Sequence, residues 1–467
     1  MLAFYKERSG NYIADIVTSK TFVYAEKDIT ASKLNQIISG AVIQPSFVTA
    51  KPASSTLDPT DQLLEVKGAG TYATITGQQL IDSVSASVTQ NITPTIWSVR
   101  LRSFNAVGNP AFECDQINIG NLVANANAKI IDRWAVQKTG TLVVSAQQLS
   151  DASPIAVPTT SFAITNKFLR VTLTTQQISL AAGDVLQILQ NLEGPRWREL
   201  SSDVHSISLL VRSSVSGLKF GVELRDSGST RSLAKLCTIP SANTWTLITL
   251  PNIPIWAAGG SWTAAPGLVG YQLIVTLAGG TSTVAPANDT WQNGNFYSAL
   301  GQDNFASKPV SSTFDIAFVQ HEPGNQSSTL IDCPFGQNLD GDFGCLRYFQ
   351  KSYPYPQAVG ATSSNSFAFF QCPAAVASGA FTLYGGTRFS KPMAKTPTGI
   401  AYNNNTGAAN TAFAWIGAAG STIPNNTGTI TITGVTANSS GISALASTGS
   451  STSPITTIAE WTADTGW

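Results

Sequence analysis

The chain has 467 residues, of which 43% are hydrophobic and only 12% are charged, and its 27 basic and 27 acidic side chains give a formal net charge of zero. Ordinary soluble proteins carry about 25% charged residues, so hydroxyl and amide groups must solvate most of this surface. The balanced charge offers no source for the phosphate neutralisation that drives nucleic-acid binding, so we expect no nucleic-acid partner. The length is typical of two to four domains.

Targeting signals and disulfides are not expected. The segment MLAFYKERSGNY at the start has no apolar core, so it does not read as a secretion signal. No run of about 18 apolar residues occurs, so we expect no membrane insertion. An odd number of irregularly spaced cysteines indicates free thiols, with a Cys333–Cys345 bridge as the alternative. The cysteines are Cys114, Cys237, Cys333, Cys345 and Cys372.

Residues 1–95 are predicted to form a small mixed α+β module. Its helix is predicted in DITASKLNQIISG, where Asp28 or Thr30 can cap the first free N–H groups and Gly40 stands where a helix stops. Two strand-like runs surround the Gly-Ala-Gly turn of QLLEVKGAGTYATIT. A Pro- and Ser-rich stretch separates the helix from these runs, which is consistent with a compact module of few elements.

Residues 96–332 are predicted to form an antiparallel β-sandwich, because short alternating runs are separated by Gly, Pro, Ser and Asn clusters. In FGVEL, for example, Phe220, Val222 and Leu224 point one way. A short connecting helix is predicted within 333–353, and a second, sandwich-like β domain within 354–467. The strand candidates are 141–146, 169–174, 206–212, 219–225, 245–250, 270–277 and 313–319.

Five segments, taken in order, resemble a jelly-roll domain, similar to carbohydrate-binding modules, that occurs in bacteriophage tail and fibre proteins. The closing motif has Gln320, Glu322, Pro323 and Gly324 at the end of a strand, followed by Gly336, Cys345, Arg347, Tyr348 and Phe349. Cys333 departs from the family pattern, which usually has a charged residue there. The other segments are GNPAFECDQINIGN (108–121), DRWAVQKTG (132–140), QNLEGPRWREL (190–200) and TWQNGNFYSALGQDNFA (290–306).

This resemblance implies a virion fibre or appendage protein, made in the host cytoplasm and assembled as a homotrimer. Residues 1–95 would attach to other virion proteins, and the distal β region would bind a host-surface glycan or protein. Binding would be non-covalent and multivalent, with no cofactor. Two alternatives stay open: a purely structural head fibre, collar or decoration protein, and a polysaccharide depolymerase.

The sequence does not favour an enzyme. His205 and His321 are the only histidines, no Gly-x-Ser-x-Gly motif accompanies them, and we expect both to be satisfied surface or turn residues. Metal-ligand spacing of His and Cys is absent from the sequence. Acidic residues are sparse, whereas glycan hydrolysis needs two carboxylates that flank a cleft.

Exposed aromatic rings are the candidates for sugar or receptor contact. Trp256 and Trp262 lie in WAAGGSW, which is predicted to be a flexible loop. Tyr402 and Trp415 are the candidates in the C-terminal region. Trp291 to Asn304 match the family pattern, so these residues are predicted to support the fold. The terminal Trp461 and Trp467 are expected to pack into a neighbouring subunit.

Overall fold

A computed structural model describes most of the chain beyond residue 103 and four strands before it. The predicted helix in 28–40, Cys333 and much of the predicted connecting helix lie outside the described residues. The described residues are 2–6, 12–16, 62–66, 72–76, 104–158, 163–201, 204–325, 330, 339–362, 369–372, 376–403, 406–410, 413–416, 431–432, 441–451, 455–458 and 460–467.

The chain divides into two compact units, Met1–Ser103 and Phe104–Trp467. The described residues of the first unit form two antiparallel hairpins. Their strands are β1 (Leu2–Lys6) with β2 (Tyr12–Ile16), and β3 (Gln62–Val66) with β4 (Tyr72–Thr76).

Two antiparallel sheets form the centre of the second unit. The five-stranded sheet has the order β13 (Thr246–Ile253), β10 (His205–Ser213), β16 (Thr313–Pro323), β8 (Ala163–Thr175) and β7 (Val143–Ala156). The seven-stranded sheet has the order β15 (Trp291–Asn293), β12 (Arg231–Ile239), β11 (Leu218–Asp226), β14 (Val269–Gly279), β9 (Val185–Glu193), β6 (Trp134–Lys138) and β5 (Lys129–Ile131).

The connectivity of these strands is that of a jelly roll. We number β8 to β14 and β16 as strands 1 to 8 in chain order. Read from β8 to β13, the five-stranded sheet then has the order 1-8-3-6, and read from β9 to β12, the seven-stranded sheet has the order 2-7-4-5. Successive strands therefore alternate between the sheets, except that β11 and β12 are paired in the seven-stranded sheet, and this is the double Greek-key arrangement. One short helix, α1 (Gly194–Leu200), and a 3-10 turn, Phe305–Ser307, interrupt the described part of this sandwich.

The main core lies between the two sheets and is made by the inward side chains of alternating residues. Phe220, Val222 and Leu224 on β11 are at most 1% exposed, as their alternation predicts. Phe220 packs edge-to-face on Phe314 of the opposite sheet, with ring centroids 5.3 Å apart. Each such side chain, fully buried, contributes about 1.5–3 kcal/mol.

All seven strands predicted in this region are present, although several extend further than their alternating runs. β5, β6, β9, β12 and β15 were not predicted. β9 reads VLQILQNLE, and eight of its nine residues are buried, so its sequence does not alternate. Strands covered on both faces lose the period of two that marks a half-buried strand.

The segments that carry the family resemblance meet in one buried network. Asn109 donates from Nδ2 to the carbonyl oxygens of Cys114 and Asp132, at 2.8 and 2.9 Å. Gln116 donates from its amide nitrogen to Asp132 Oδ1 at 2.9 Å. Gln190 exchanges two hydrogen bonds with the backbone of Gly108, each of 2.8 Å. The first three segments are therefore bonded directly to one another in the fold.

Glu193 joins the third segment to the closing motif. Its carboxylate is fully buried and accepts hydrogen bonds from Arg347 Nε (2.8 Å), Arg347 Nη2 (2.6 Å) and the Tyr348 hydroxyl (2.8 Å). Gly267 N–H donates to the same carboxylate at 2.6 Å. Burial alone would raise the pKa of Glu193, but these donors and the Arg347 charge outweigh it and lower the pKa below its ordinary value.

The region after the sandwich is also β-structured. β17 (Phe349–Lys351), β25 (Glu460–Asp464) and β20 (Thr398–Tyr402) form one sheet, after the 3-10 turn Cys345–Arg347. A six-stranded sheet has the order β21 (Phe413–Ile416), β24 (Ile455–Ile458), β18 (Phe369–Cys372), β19 (Val376–Arg388), β23 (Gly441–Ser451) and β22 (Thr431–Ile432).

The C-terminal tryptophans pack within their own chain, which corrects the expectation that they enter a neighbouring subunit. Trp461 is 5% exposed and lies against Phe389, and Trp467 is 6% exposed and stacks on Tyr348. The apolar tail is thus covered without a partner. Cys114, Cys237 and Cys345, whose side chains the structure describes, are buried and take part in no disulfide.

Replacing Glu193 by Gln should lower the free energy of unfolding by about 3 kcal/mol, because Arg347, whose side chain is only 18% exposed, would lose its carboxylate partner. Tyr348→Phe removes one hydrogen bond and should cost about 1 kcal/mol. Urea denaturation of the full chain measures both values. The exposed Arg388→Gln is the control, and a Glu193 variant as stable as this control would contradict the role assigned to the carboxylate.

Candidate functional site

The predicted residues Trp256 and Trp262 belong to a cluster of aromatic rings at one end of the sandwich. Trp256 is 4.9 Å from Trp262 and 5.4 Å from Trp291, measured between ring centroids. Trp197 of α1 lies parallel to Trp262 at 6.3 Å. We call this group the aromatic cluster. Its members are Trp197, His205, Trp256, Trp262, Tyr271, Trp291 and His321.

Trp256 is part of the interior rather than an exposed ring in a flexible loop. It is 8% exposed, its indole N–H donates to the Leu200 carbonyl at 3.2 Å, and His205 stacks on it at 4.8 Å. Its ring can therefore support a ligand contact only through the rings that cover it. Trp262 and Trp291 are half-buried, so they form the accessible edge of the cluster.

Three hydrogen bonds fix residues 254–268, which carry Trp256 and Trp262 between β13 and β14 and which we call the tryptophan loop. Gly267 N–H donates to Glu193, and Gly194 N–H donates to the Leu268 carbonyl at 2.9 Å. Ser261 N–H donates to Asp226 Oδ2 at 2.6 Å. A side chain at Gly194 would bring its Cβ within 2.4 Å of the Ala265 carbonyl oxygen, so the loop approaches the start of α1 as closely as a glycine allows. The loop is therefore held near its middle, through Ser261, and at its end, through Gly267 and Leu268.

The two histidines are buried, which corrects the expectation of surface or turn residues. His321 lies within β16, and His205 begins β10; both are fully buried. The Tyr271 hydroxyl is 2.8 Å from His321 Nδ1, and His321 Nε2 is 2.8 Å from His205 Nδ1. Burial lowers the pKa of His205 to about 3 and lowers the pKa of His321 well below its ordinary value. Both rings are thus neutral parts of the cluster.

A second feature is a line of polar side chains on the outer face of the seven-stranded sheet. Asn191, Gln272 and Arg225 stand in register on β9, β14 and β11. Gln272 Nε2 donates to Asn191 Oδ1 at 2.7 Å, and Arg225 Nε and Nη2 donate to Gln272 Oε1 at 2.8 and 2.6 Å. Arg225 Nη1 donates to Asn295 Oδ1 at 2.6 Å. We call these four side chains the polar row.

The polar row is accessible and rigid. Asn191, Gln272 and Arg225 are half-buried, and Asn295 is exposed. The Arg225 guanidinium carbon lies 5.2 Å from the ring centroid of Tyr297, which is also half-buried. Hydrogen bonds among the side chains hold them in one arrangement before any ligand arrives, which reduces the entropy lost on binding.

The polar row and the aromatic cluster are neighbours. Arg225 is followed by Asp226, whose carboxylate holds Ser261 in the tryptophan loop. Arg231, which begins β12, donates from Nε to the Ala258 carbonyl at 3.1 Å, and its Nη1 binds Asn293 Oδ1. Register places Arg231, Asn293 and Trp291 on the same face as the core residue Leu233, whereas the polar row lies on the opposite, outer face, so the two features meet only at the end of the sheet.

The five-stranded sheet carries a different outer patch in which the charges are already paired. Asp315 accepts from Arg170 Nε at 2.7 Å and from Arg212 Nε at 2.8 Å. Asp151 accepts from Trp245 Nε1 at 3.1 Å and lies 3.2 Å from Arg212 Nη1. The Arg212 guanidinium also covers the Trp245 ring at 4.3 Å. Internal partners use most of the binding capacity of this patch.

The remaining predicted residues lie in the C-terminal region. Tyr402 ends β20, is half-buried and meets Tyr353 edge-to-face with ring centroids 6.1 Å apart. Trp415 lies in β21, where its backbone pairs with Thr456; its side chain is outside the described part. Sequence analysis missed the polar row, because its members are far apart in the chain and only the strand register brings them together.

Within the described ranges, no group of three or more His, Cys, Asp or Glu side chains is placed to hold a metal ion. A search of the same residues for a helix long and apolar enough to cross a membrane finds none.

Comparisons with known proteins give only distant structural likenesses. No family model and no curated protein matches the chain. TmCBM61 in complex with β-1,4-galactotriose has 11% identity, covers 48% of this chain and all of its own, and gives a TM-score of 0.25. A family 11 carbohydrate-binding module from Clostridium thermocellum has 11% identity, 44% and 98% coverage, and a TM-score of 0.24.

A bacteriophage structure shows the same degree of likeness. The enzymatically active domain of tailspike protein 4 from bacteriophage CBA120 has 12% identity and a TM-score of 0.26. The match covers 47% of this chain and 21% of the tailspike chain. Likenesses this distant do not bear on the function of the chain.

The pH dependence of stability should reveal the buried histidines. In the unfolded chain His321 protonates below about pH 6.5, whereas in the fold it stays neutral, so its contribution to stability is lost as the pH falls below 6.5. The destabilisation caused by His321→Gln should therefore be about 2 kcal/mol smaller at pH 5 than at pH 8. Asp132 and Glu223, whose pKa values burial raises, are present in both proteins and cancel from this difference.

Urea denaturation of the wild type and the His321 variant at the two pH values gives the comparison. An identical loss of stability at pH 5 and pH 8 would contradict a buried, neutral His321.

Proposed function

We propose that this chain is a non-catalytic, glycan-binding appendage protein of a bacteriophage particle. The polar row carries the proposal. Its amide groups can accept and donate hydrogen bonds and its guanidinium group can donate them, as clustered sugar hydroxyls require. They are fixed by hydrogen bonds to one another across three neighbouring strands and are partly exposed. This arrangement is a built recognition surface rather than a set of independent surface residues.

Partly exposed rings complete the proposed site. Tyr297 is half-buried beside Arg225 in the polar row, and Trp262 is half-buried in the loop at the end of the same sheet. An aromatic ring offers a flat apolar face with a polar edge, which suits the C–H face of a sugar ring. Of the two tryptophans predicted from the sequence, Trp262 is therefore the proposed sugar contact, and Trp256 packs against it.

The positions of the nearby carboxyl groups support binding of a glycan without its hydrolysis. Asp226 accepts from Thr230 Oγ1 at 2.6 Å and from the N–H groups of Thr230, Arg231 and Ser261. Glu223 is fully buried beneath Thr276. A glycosidase needs one carboxylic acid and one carboxylate that reach the scissile bond, and both of these groups are committed to the interior. The depolymerase reading is the weaker alternative.

The appendage part of the proposal rests on the sequence resemblance. The motif residues that define it, among them Gln190, Glu193, Arg347 and Tyr348, are joined in the fold by hydrogen bonds. Residues 1–95 would attach to the particle, and the second unit would face the host. A structural decoration protein with no receptor is the second candidate, and a binding experiment separates the two.

Purified full-length protein should bind at least one polysaccharide of a panel of bacterial surface glycans. Gln272→Ala and Trp262→Ala should each weaken that binding about tenfold, equivalent to about 1.4 kcal/mol, because each removes one principal contact. Isothermal titration gives the affinities, after thermal denaturation shows that the variants are folded.

Trp245→Ala is the matched control, because it removes a half-buried tryptophan from the opposite sheet and should leave affinity unchanged. Failure to bind any member of the panel would favour the decoration protein. Shortening of the polymer by the wild-type protein would instead favour the depolymerase.

The proposed appendage is a homotrimer, since three weak sites on one particle raise avidity without any new contact. Light scattering of the full chain should give a mass three times the 49.1 kDa of one chain. A mass of one chain at micromolar concentration would contradict the trimer and leave monomeric binding as the mechanism.

A further inference from the structure

Two buried cysteines, Cys114 and Cys345, meet where the start of the second unit packs against the segment that leads into the C-terminal region. Both side chains are fully buried, and neither takes part in a disulfide in this structure. The Cys345 thiol is hydrogen-bonded to the Cys114 thiol, and burial, together with this neighbour, raises the pKa of Cys345 well above its ordinary value. The two sulfur atoms are therefore in direct contact in the interior.

Other hydrogen bonds hold the same two segments together independently of the thiols. The Tyr355 hydroxyl accepts from the Asp115 N–H at 2.9 Å and donates to the Glu113 carbonyl at 3.3 Å. Gln116 donates from Nε2 to the Phe349 carbonyl at 3.4 Å. The segment around the first cysteine is thus held against the segment that follows the second.

Each cysteine is also fixed within its own segment. Asn109 bonds both backbone groups of Cys114, since its Oδ1 accepts from the Cys114 N–H at 3.0 Å and its Nδ2 donates to the Cys114 carbonyl at 2.8 Å. Cys345 begins a 3-10 turn, and its carbonyl accepts from the Tyr348 N–H at 2.9 Å. A disulfide bond is about 2 Å long, so closing it needs only a small displacement of two thiols that are already in contact.

The third described cysteine has a different environment. Cys237 lies on β12 in the main core. Burial raises the pKa of its thiol, and the charged groups that act on it are Glu223, Lys235 and Asp289. No second cysteine of the described ranges is among them, so Cys237 is an internal comparison for the pair.

We propose that Cys114 and Cys345 form an intramolecular disulfide when the protein leaves a reducing environment and meets a peroxide. Cysteines are kept reduced in the cytoplasm, whereas disulfides form and persist in oxidising surroundings. The bond joins the start of the second unit covalently to the segment that leads into the C-terminal region. This inference is independent of glycan binding, because neither cysteine belongs to the polar row or to the aromatic cluster.

The oxidation balances with hydrogen peroxide as the oxidant. One thiol is converted to a sulfenic acid as the O–O bond breaks and one water leaves. The second sulfur then displaces the sulfenic oxygen, which leaves as water with the proton of the second thiol. One S–S bond forms, both S–H bonds are lost, and the peroxide is reduced to water. Because burial keeps Cys345 protonated and the thiolate is the reactive form, the reaction is slow.

The full-length chain, first reduced and then treated with hydrogen peroxide, tests the proposal. Remaining thiols are alkylated under denaturing conditions, and the protein is digested without reductant for peptide mass spectrometry. We expect one linked pair of peptides, from Cys114 and Cys345, whose combined mass is lower by two hydrogen atoms. A dithiol reductant should separate the pair, and Cys237 should be recovered in alkylated form.

Thermal denaturation measures the consequence of the bond. A cross-link that closes a long loop should raise the melting temperature of the peroxide-treated wild type by about 5 °C. Cys114→Ala should show no such gain. Cys237→Ala also removes a buried thiol and should keep the gain, so this matched control separates the cross-link from other oxidation of the protein.

The peptide map of the wild type decides the proposal even if a variant does not fold. Recovery of Cys114 and Cys345 as separate peptides after peroxide treatment, alkylated or as sulfinic acids, overturns it. A linkage of Cys345 to Cys333 overturns it as well. An equal gain in melting temperature for Cys114→Ala overturns the stabilising effect assigned to the bond.

Discussion

The buried carboxylate of Glu193 is the interaction on which the rest of the second unit depends. It lies where β9 ends, and it bonds the turn after the tryptophan loop through Gly267 and the closing motif through Arg347 and Tyr348. Removing a carboxylate from water is costly, so the arrangement is stable only because four donors compensate it. The Glu193 carboxylate thus bonds the sandwich to the loop at its end and to the start of the C-terminal region.

Glu193 also affects the proposed site, because it helps to hold the tryptophan loop in place. With Gly267 fixed on Glu193 and Ser261 fixed on Asp226, the tryptophan loop is held at two points against the seven-stranded sheet. Trp256 fills the space beneath it and stacks on His205, so the loop has its own small core. Trp262 is then held against Trp256 and Trp291 before a ligand arrives, so little entropy is lost on binding.

Much of the fold could be predicted from the sequence. Alternation located seven of the sandwich strands, and the motif resemblance indicated the jelly roll. β9 was missed because VLQILQNLE is buried on both faces, so no alternation marks it. The burial of Trp256 was missed because a Gly-rich loop sequence does not show which rings will be covered. The histidines were misplaced for a related reason: His321 lies inside a strand whose described residues are almost all buried.

The site could be predicted only in part. Trp262 was found as an aromatic residue in a loop, and the structure places it at the accessible edge of the aromatic cluster. The polar row could not be found, since Asn191, Arg225 and Gln272 become neighbours only through strand register.

The most direct test of the account is a crystal structure of the full chain with its tightest-binding oligosaccharide. The account predicts that the sugar lies on the outer face of the seven-stranded sheet, within hydrogen-bonding distance of Gln272 and Arg225 and against Trp262. A sugar bound at Trp245 on the five-stranded sheet, or at Tyr402 in the C-terminal region, would contradict it.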